Sequence, residues 1–206
     1  MSGLATGLCL VLGIPLAWLL ARSRSWLTEV LAAGALLPLV LPPTVVGYYL
    51  LTALGRNSGF GRFLEDDLGI RLVFTWQAAG IAAAVMAVPL LVMTARAGFE
   101  SVDPELERVG LTLGRSRLAV FFTITLPLAS PGVLAGVALA FARAMGEFGV
   151  TLMVAGSIPG RTRTMPLVVY DAVQSGDMAL ANTLALILTS MAMLAVFGWT
   201  TRRIRW

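Results

Sequence analysis

Long stretches of this chain carry no charge, and that pattern limits what it can fold into more than any other feature. Residues 2–21, 30–55, 72–95, 118–142 and 178–201 each lack Asp, Glu, Lys, Arg and His. A bilayer core of about 30 Å takes about 20 apolar residues in helical form. Each interval is therefore long enough to cross, whereas a core helix of a soluble domain rarely stays uncharged for so long. The pattern predicts an all-α, polytopic membrane protein with five transmembrane helices. The spans are set at about 2–21, 30–55, 72–95, 129–153 and 178–201, in one domain over 1–206, with a polar loop at 96–128. Residues 2–21 do not read as a secretory signal peptide: no positive region precedes them, and they end in Trp18-Leu19-Leu20-Ala21-Arg22 rather than at a small-residue cleavage site. Residues 148–160 are apolar but too short to cross alone. They either finish the fourth helix and turn outside or form a re-entrant or interfacial segment. Joining them to 164–170 as a sixth crossing would move the C-terminal tail to the other side, and five crossings is the preferred reading.

Composition narrows the chemistry. The chain is 58% hydrophobic and 13% charged, against roughly 25% charged in average soluble proteins. All fifteen basic residues are arginine, there is no histidine, and Cys9 is the one cysteine. Without lysine there is neither a Walker-A phosphate loop nor a lysine Schiff base. Without histidine there is no Ser-His-Asp triad or HExxH zinc site, and one cysteine makes neither an intrachain disulfide nor a cysteine-rich metal cluster. No catalytic residue, metal site or cofactor is expected in this chain, and nothing in it suggests nucleic acid as a partner.

Arginine asymmetry gives an orientation. Five crossings place Arg22, Arg24, Arg96, Arg108, Arg115, Arg117, Arg202, Arg203 and Arg205 on one side. Arg56, Arg62, Arg71, Arg161 and Arg163 fall on the other, with Arg143 inside a helix. The richer side is expected to be cytoplasmic, which puts the N-terminus outside and the C-terminus inside. Within the second span, Pro38, Pro42 and Pro43 remove backbone donors that neighbours or water must replace. This reads either as a kinked packing helix or as a pathway helix opened for gating. Gly132, Gly136, Ala140 and Ala144 form a small-residue stripe that invites close helix packing, either internal or with a second subunit.

The loop holds a well-marked helix. Asp103 can cap it, Pro104 suits its first position, and Glu105 and Glu107 favour its positive dipole end. Leu106, Val109, Gly110 and Leu113 follow on one face, Gly114 stops the helix, and Arg115 and Arg117 suit the negative end. Such a helix could lie on lipid, pack on its own protein or enter a groove on a partner. From Gly114, nine residues lead to Ile124, followed by Thr125, Leu126 and Pro127. This G-x9-I-x-L-P pattern resembles half of the cytoplasmic loop signature of ABC importer permeases. The E-A-A half departs, reading Arg108-Val109-Gly110. Residues 36–49 (LLPLVLPPTVVGYY), 141–149 (FARAMGEFG) and 153–162 (MVAGSIPGRT) resemble the molybdate importer branch of that family, as do 164–167 (TMPL) and 170–174 (YDAVQ). The resemblance covers nearly the whole chain, although relatives carry additional residues ahead of the first span, so the sequence is expected to begin late.

The resemblance implies a homodimeric permease of type I fold in the bacterial cytoplasmic membrane. Two separate ATPase subunits would bind ATP-Mg on the cytoplasmic face, and an extracytoplasmic binding protein would deliver the oxyanion. The helix over 103–113 then becomes the expected coupling helix, with Ile124, Leu126 and Pro127 beyond it. Pro42, Pro43, Arg143 and Glu147 become pathway candidates. Arg143 and Glu147 form either a self-neutralising i,i+4 pair or a positive element moderated by an acid along an anion route. Arg161 and Arg163 are candidates for docking the binding protein or guiding the anion. The run Glu65-Asp66-Asp67 reads as a solvated loop rather than a cation site. Tungstate and sulfate are alternative substrates. An ion-driven secondary transporter or a non-transporting membrane scaffold are readings of other classes, and the secondary transporter leaves the loop helix unexplained.

Overall fold

A computed structural model describes residues 1–23 and 25–200; Arg24, Arg202, Arg203 and Arg205 from the orientation argument lie outside them. Among the described residues the regular structure is all helical. The elements are α1 (Ser2–Arg22), α2 (Trp26–Val40), α3 (Pro43–Leu54), α4 (Gly59–Arg62), α5 (Trp76–Glu100), α6 (Pro104–Thr112), α7 (Arg117–Val120), α8 (Leu126–Met145), α9 (Gly149–Ala155), α10 (Met165–Ser175) and α11 (Met178–Thr200). A π turn at Phe63–Asp67 extends α4, and another at Phe121–Thr125 joins α7 to α8. The second junction makes one rod, Arg117–Met145.

Four of these helices are long and apolar enough to cross a membrane: α1, α5, the α7–α8 rod and α11. The pair α2–α3 makes a fifth if taken as one span, although it bends by 115°. The bend is built by the prolines. Pro43 disfavours helical geometry in the residue before it, and Pro42 does the same to Leu41. Leu41 (ψ 142°) and Pro42 (ψ 137°) are accordingly extended, and Pro43 begins α3. Helix ends also fall differently from the charge-free limits. Helix α5 continues past Arg96 to Glu100 and the rod begins at Arg117, so the polar connection is confined to 101–116. The apolar run toward 153 does not continue as one helix: α8 stops at Met145, Gly146 caps it, and 149–155 forms the separate α9.

Helix α5 is the centre of the molecule. In its most apolar 18-residue stretch 67% of residues are buried, against 6% for α11, although their hydropathies are similar. The difference follows side-chain size. Helix α5 carries Ala78, Ala79, Gly80, Ala82, Ala83, Ala84 and Ala87, so neighbours approach closely from several sides, as small residues permit in membrane bundles. Ala5 and Cys9 of α1 and Ala140 and Ala144 of α8 pack with Ala83, Ala84, Ala87 and Leu91. A second cluster links Ala17 and Leu20 to Val92, Phe99, Val102 and Val133. A third joins Val46 of α3 to Ala78, Ala82 and Met86 of α5 and to Val150 and Val154 of α9. The stripe on α8 therefore has an internal partner. A Cβ on Gly132 would stand 2.6 Å from the Cα of Gly98, and one on Gly136 would stand 3.0 Å from the carbonyl oxygen of Leu91.

Candidate functional site

Helix α6 forms as its sequence dictates. The Asp103 carboxylate accepts from the Glu105 N–H at 2.9 Å, Pro104 occupies the first turn, and Gly114 turns the chain at φ +80°. Its orientation divides the face drawn from periodicity. Gly110 is buried against the rod, where a Cβ would come within 2.9 Å of Ile124 and 3.0 Å of Val120. Leu106 and Val109 remain exposed, and Leu113, just past the helix end, is 76% exposed. The outer surface also carries the Glu105–Arg108 ion pair. Leu118 and Phe122 on the rod are exposed as well. Helix α6 is thus held on one side and presents apolar side chains on the other.

Glu107 anchors the held side. Its Oε1 accepts from Arg22 Nη2 at 2.7 Å and from the Thr125 hydroxyl at 2.7 Å, while Arg22 Nη2 also reaches the Val102 carbonyl at 3.3 Å. Arg22 ends α1, and Thr125 lies in the π turn of the rod. The Arg22 and Glu107 side chains are only about one-fifth exposed, at 20% and 19%, and Thr125 is buried. Sequence reasoning gave Glu107 a dipole role and left Arg22 and Thr125 out of the site. The available signals were positional: Glu107 lies three residues before Gly110, on its side of the helix, and Thr125 is the variable residue inside I-x-L-P.

At the other end of the rod, Arg143 and Glu147 form an i,i+4 pair, Nη1 to Oε2 at 2.7 Å. The second oxygen of Glu147 accepts from the Val150 N–H at 2.9 Å and so caps α9. The Glu147 side chain is 2% exposed. Both carboxylate oxygens are satisfied and the arginine charge is neutralised locally, favouring the paired arrangement over a free positive centre. Pro43 comes to the same place, since a Cβ on Gly149 would stand 2.9 Å from its ring; a Cβ on Gly47 would likewise stand 2.7 Å from the Cβ of Met153. Pro43 is therefore a packing point for α9, while Pro42 makes the bend. A cavity of about 230 Å³ adjoins Glu147, Thr151 and Thr164, with Ala79, Ala83 and Met191 among its walls.

The loop after α9 is tightly built. The Ile158 carbonyl accepts from the N–H groups of Arg161, Thr162 and Arg163. Buried Thr162 accepts from the Ile158 N–H at 3.0 Å and donates to the Gly156 carbonyl at 3.2 Å. Arg163 pairs with Asp171 at 3.2 Å, and the Ser157 hydroxyl donates to the same carboxylate at 3.1 Å. Arg161 is exposed and has no ion-pair partner among the described residues. The two docking candidates are therefore unlike: Arg161 is presented, and Arg163 is engaged. In the acidic run, Glu65 pairs with Arg71 at 2.6 Å and Asp66 with Arg56 at 3.4 Å. The Arg71 hydrogen bond holds the Glu65 carboxyl below its ordinary pKa.

A helical bundle with a broken span, a loop helix exposed on one side and a largely buried ion pair suits a membrane-embedded subunit. Comparison with known proteins agrees. The family model for binding-protein-dependent transport system inner membrane components matches residues 13–206, and the chain belongs to that family. It is 46% identical over 204 residues to the molybdenum transport system permease protein ModB of Escherichia coli K12, covering 98% of this chain and 89% of that one. It is 42% identical to ModB of Haemophilus influenzae, covering 95% and 87%. The sulfate transport system permease protein CysT of Salmonella typhimurium is 34% identical, covering 95% and 70%. Among solved structures, an inward-facing form of the MetNI methionine ABC transporter superposes with a TM-score of 0.74 at 17% identity, covering 98% of this chain and 88% of that one, so the fold is shared. The chain is a membrane permease subunit.

Proposed function

We propose that this subunit, as a homodimer, forms the translocation path for molybdate across the bacterial cytoplasmic membrane. It is driven by two separate ATP-binding subunits that carry ATP-Mg on the cytoplasmic side. The observation that carries the reading is α6: its inner side is fixed to α1 and the rod, while Leu106, Val109 and Leu113 stand in solvent. An apolar helix face presented in this way suits a groove on a partner. Closure of that partner would move α6 as a rigid body and tilt α5 and the rod between inward-open and outward-open states. Asp103 and Gly114 set the limits of the helix, Ile124 with Val120 seats Gly110, and Leu126 and Pro127 begin α8 within the rod. The N-terminus then lies outside and the C-terminus inside.

On the opposite end, Arg161 would meet an acidic rim of an extracytoplasmic oxyanion-binding protein, while Arg163 keeps its loop in shape. Arg143 and Glu147 hold the junction of α8 and α9 beside the Pro42–Pro43 bend. A charge-neutral pair there admits an anion without trapping it, as conduction requires. The substrate assignment rests on the molybdenum permeases among the relatives, and the 34% identity to a sulfate permease favours sulfate as the second reading. Reconstitution with the ATPase subunits and the binding protein tests both. ATP-dependent molybdate uptake that excess sulfate does not abolish is the expected outcome. Uptake without ATP would overturn the mechanism, and equal competition by sulfate would overturn the substrate.

A further inference from the structure

We infer that Glu107 is a positioning residue that locks α1 to α6, so that the first span moves with the coupling helix. This rests on the reading of α6 given above and adds a transmission route to it. Chain connectivity alone ties α6 to α5 through 101–103 and to the rod through 113–116; α1 is remote in sequence. Yet Arg22, at the end of α1, donates to the same Glu107 oxygen that Thr125 of the rod bonds, each at 2.7 Å. A second donation from Arg22 Nη2 reaches the Val102 carbonyl at the entrance to α6. One carboxylate oxygen therefore joins α1, α6 and the rod.

The setting favours a rigid link over a loose surface pair. The partners are largely withdrawn from solvent, and the charge-assisted bonds are correspondingly short. Beneath the pair, Leu20, Phe99 and Val102 form part of one buried cluster. Gly110, one turn further along α6, seats the helix against Val120 and Ile124, so α6 cannot roll away from the carboxylate without leaving that seat. Glu105 and Arg108 pair with each other on the outer surface and do not compete for Arg22.

The test uses the complete transporter in proteoliposomes, with molybdate uptake and ATP hydrolysis measured together. Glu107→Gln and Arg22→Gln are expected to lower molybdate moved per ATP by about fivefold or more, within the range of typical coupling energies, while the ATPase subunits still co-purify. A second measurement does not depend on those variants. Spin labels at Ser23→Cys and Thr112→Cys, in a Cys9→Ala background, should keep their separation to within about 2 Å between nucleotide-free and ATP-trapped states, because α1 and α6 move as one body. Labels that part in the otherwise wild-type transporter, or Gln variants that keep the wild-type ratio, would overturn the inference. If Val109→Glu uncouples transport while both Gln variants stay coupled, only the Glu107 lock fails. If Val109→Glu itself leaves the ratio intact, the coupling-helix reading fails instead.

Discussion

Glu147 is 2% exposed, and each of its carboxylate oxygens has its own donor, Arg143 on one and the Val150 N–H on the other. Removing one partner of such a pair leaves a charge in a place that cannot solvate it. Arg143→Gln is therefore expected to lower stability by about 3 kcal/mol, the usual scale for breaking a buried pair, and to reduce uptake. Wild-type melting and transport in that variant would show that the pair does neither job. Glu65, in the 56–71 connection outside the spans, is one-fifth exposed and pairs with an Arg71 side chain that is 73% exposed. Its pKa lies below the ordinary 4.5, chiefly through the Arg71 hydrogen bond. The sign follows from linkage: this stabilisation is fully present above the ordinary carboxylate value and fades as pH falls through the lowered one. Arg71→Gln should raise the Glu65 titration midpoint toward 4.5, observable by carbon NMR of a selectively labelled sample.

Among elements, the contact between α5 and the rod is set by glycine. Gly132 has the backbone of Gly98 across from it, and backbone cannot rotate out of the way as a flexible side chain can. Gly132→Val should cost about 1–3 kcal/mol, the range for overpacking a close contact, and appear as a lower melting temperature in detergent. Gly34 of α2 has open space around its Cβ position, so Gly34→Ala should leave melting unchanged or raise it slightly. Helix α6 has two unlike sides, one packed on the rod at Gly110 and one exposed at Leu106 and Val109. A charge at Leu106 or Val109 meets solvent in the isolated subunit, so Leu106→Glu or Val109→Glu should leave the subunit folded. Uptake should fall at least tenfold, about 1.4 kcal/mol of lost coupling, and undiminished uptake would remove α6 from the mechanism.

For the whole molecule, the two ends of the bundle are chemically distinct. One carries α6 with Arg22, Arg96, Arg108 and Arg115; the other carries the 56–71 connection and the Ser157–Arg163 loop, and there the Phe74 N–H, just ahead of α5, donates to the Val154 carbonyl of α9 at 3.0 Å. If the arginine-rich end is cytoplasmic, a membrane-impermeant thiol reagent added to intact spheroplasts should label Arg161→Cys and spare Arg108→Cys. Inverted vesicles should reverse the result. The native Cys9 is buried and does not interfere. Labelling of Arg108→Cys from outside would invert the topology.

Much of this protein follows from local sequence. Charge-free length alone calls for spanning helices, since only satisfied backbone survives in lipid. Asp103, Pro104 and Gly114 define α6 because caps and turns are short-range chemistry, and Pro42–Pro43 forces a break wherever the span lies. Three things needed the tertiary structure. Periodicity put Leu106, Val109, Gly110 and Leu113 on one face but could not say that Gly110 alone turns inward, because that depends on Val120 and Ile124 lying opposite. The α8 stripe could have faced a second subunit; Gly98 and Leu91 of α5 occupy it. Arg22 and Glu107 are separated by 85 residues, and each looks like an ordinary charge at a helix end. Their partnership is decided by how α1 packs beside α5, which brings the two helix ends to one place: local sequence sets the elements and their ends, while packing sets which charges meet.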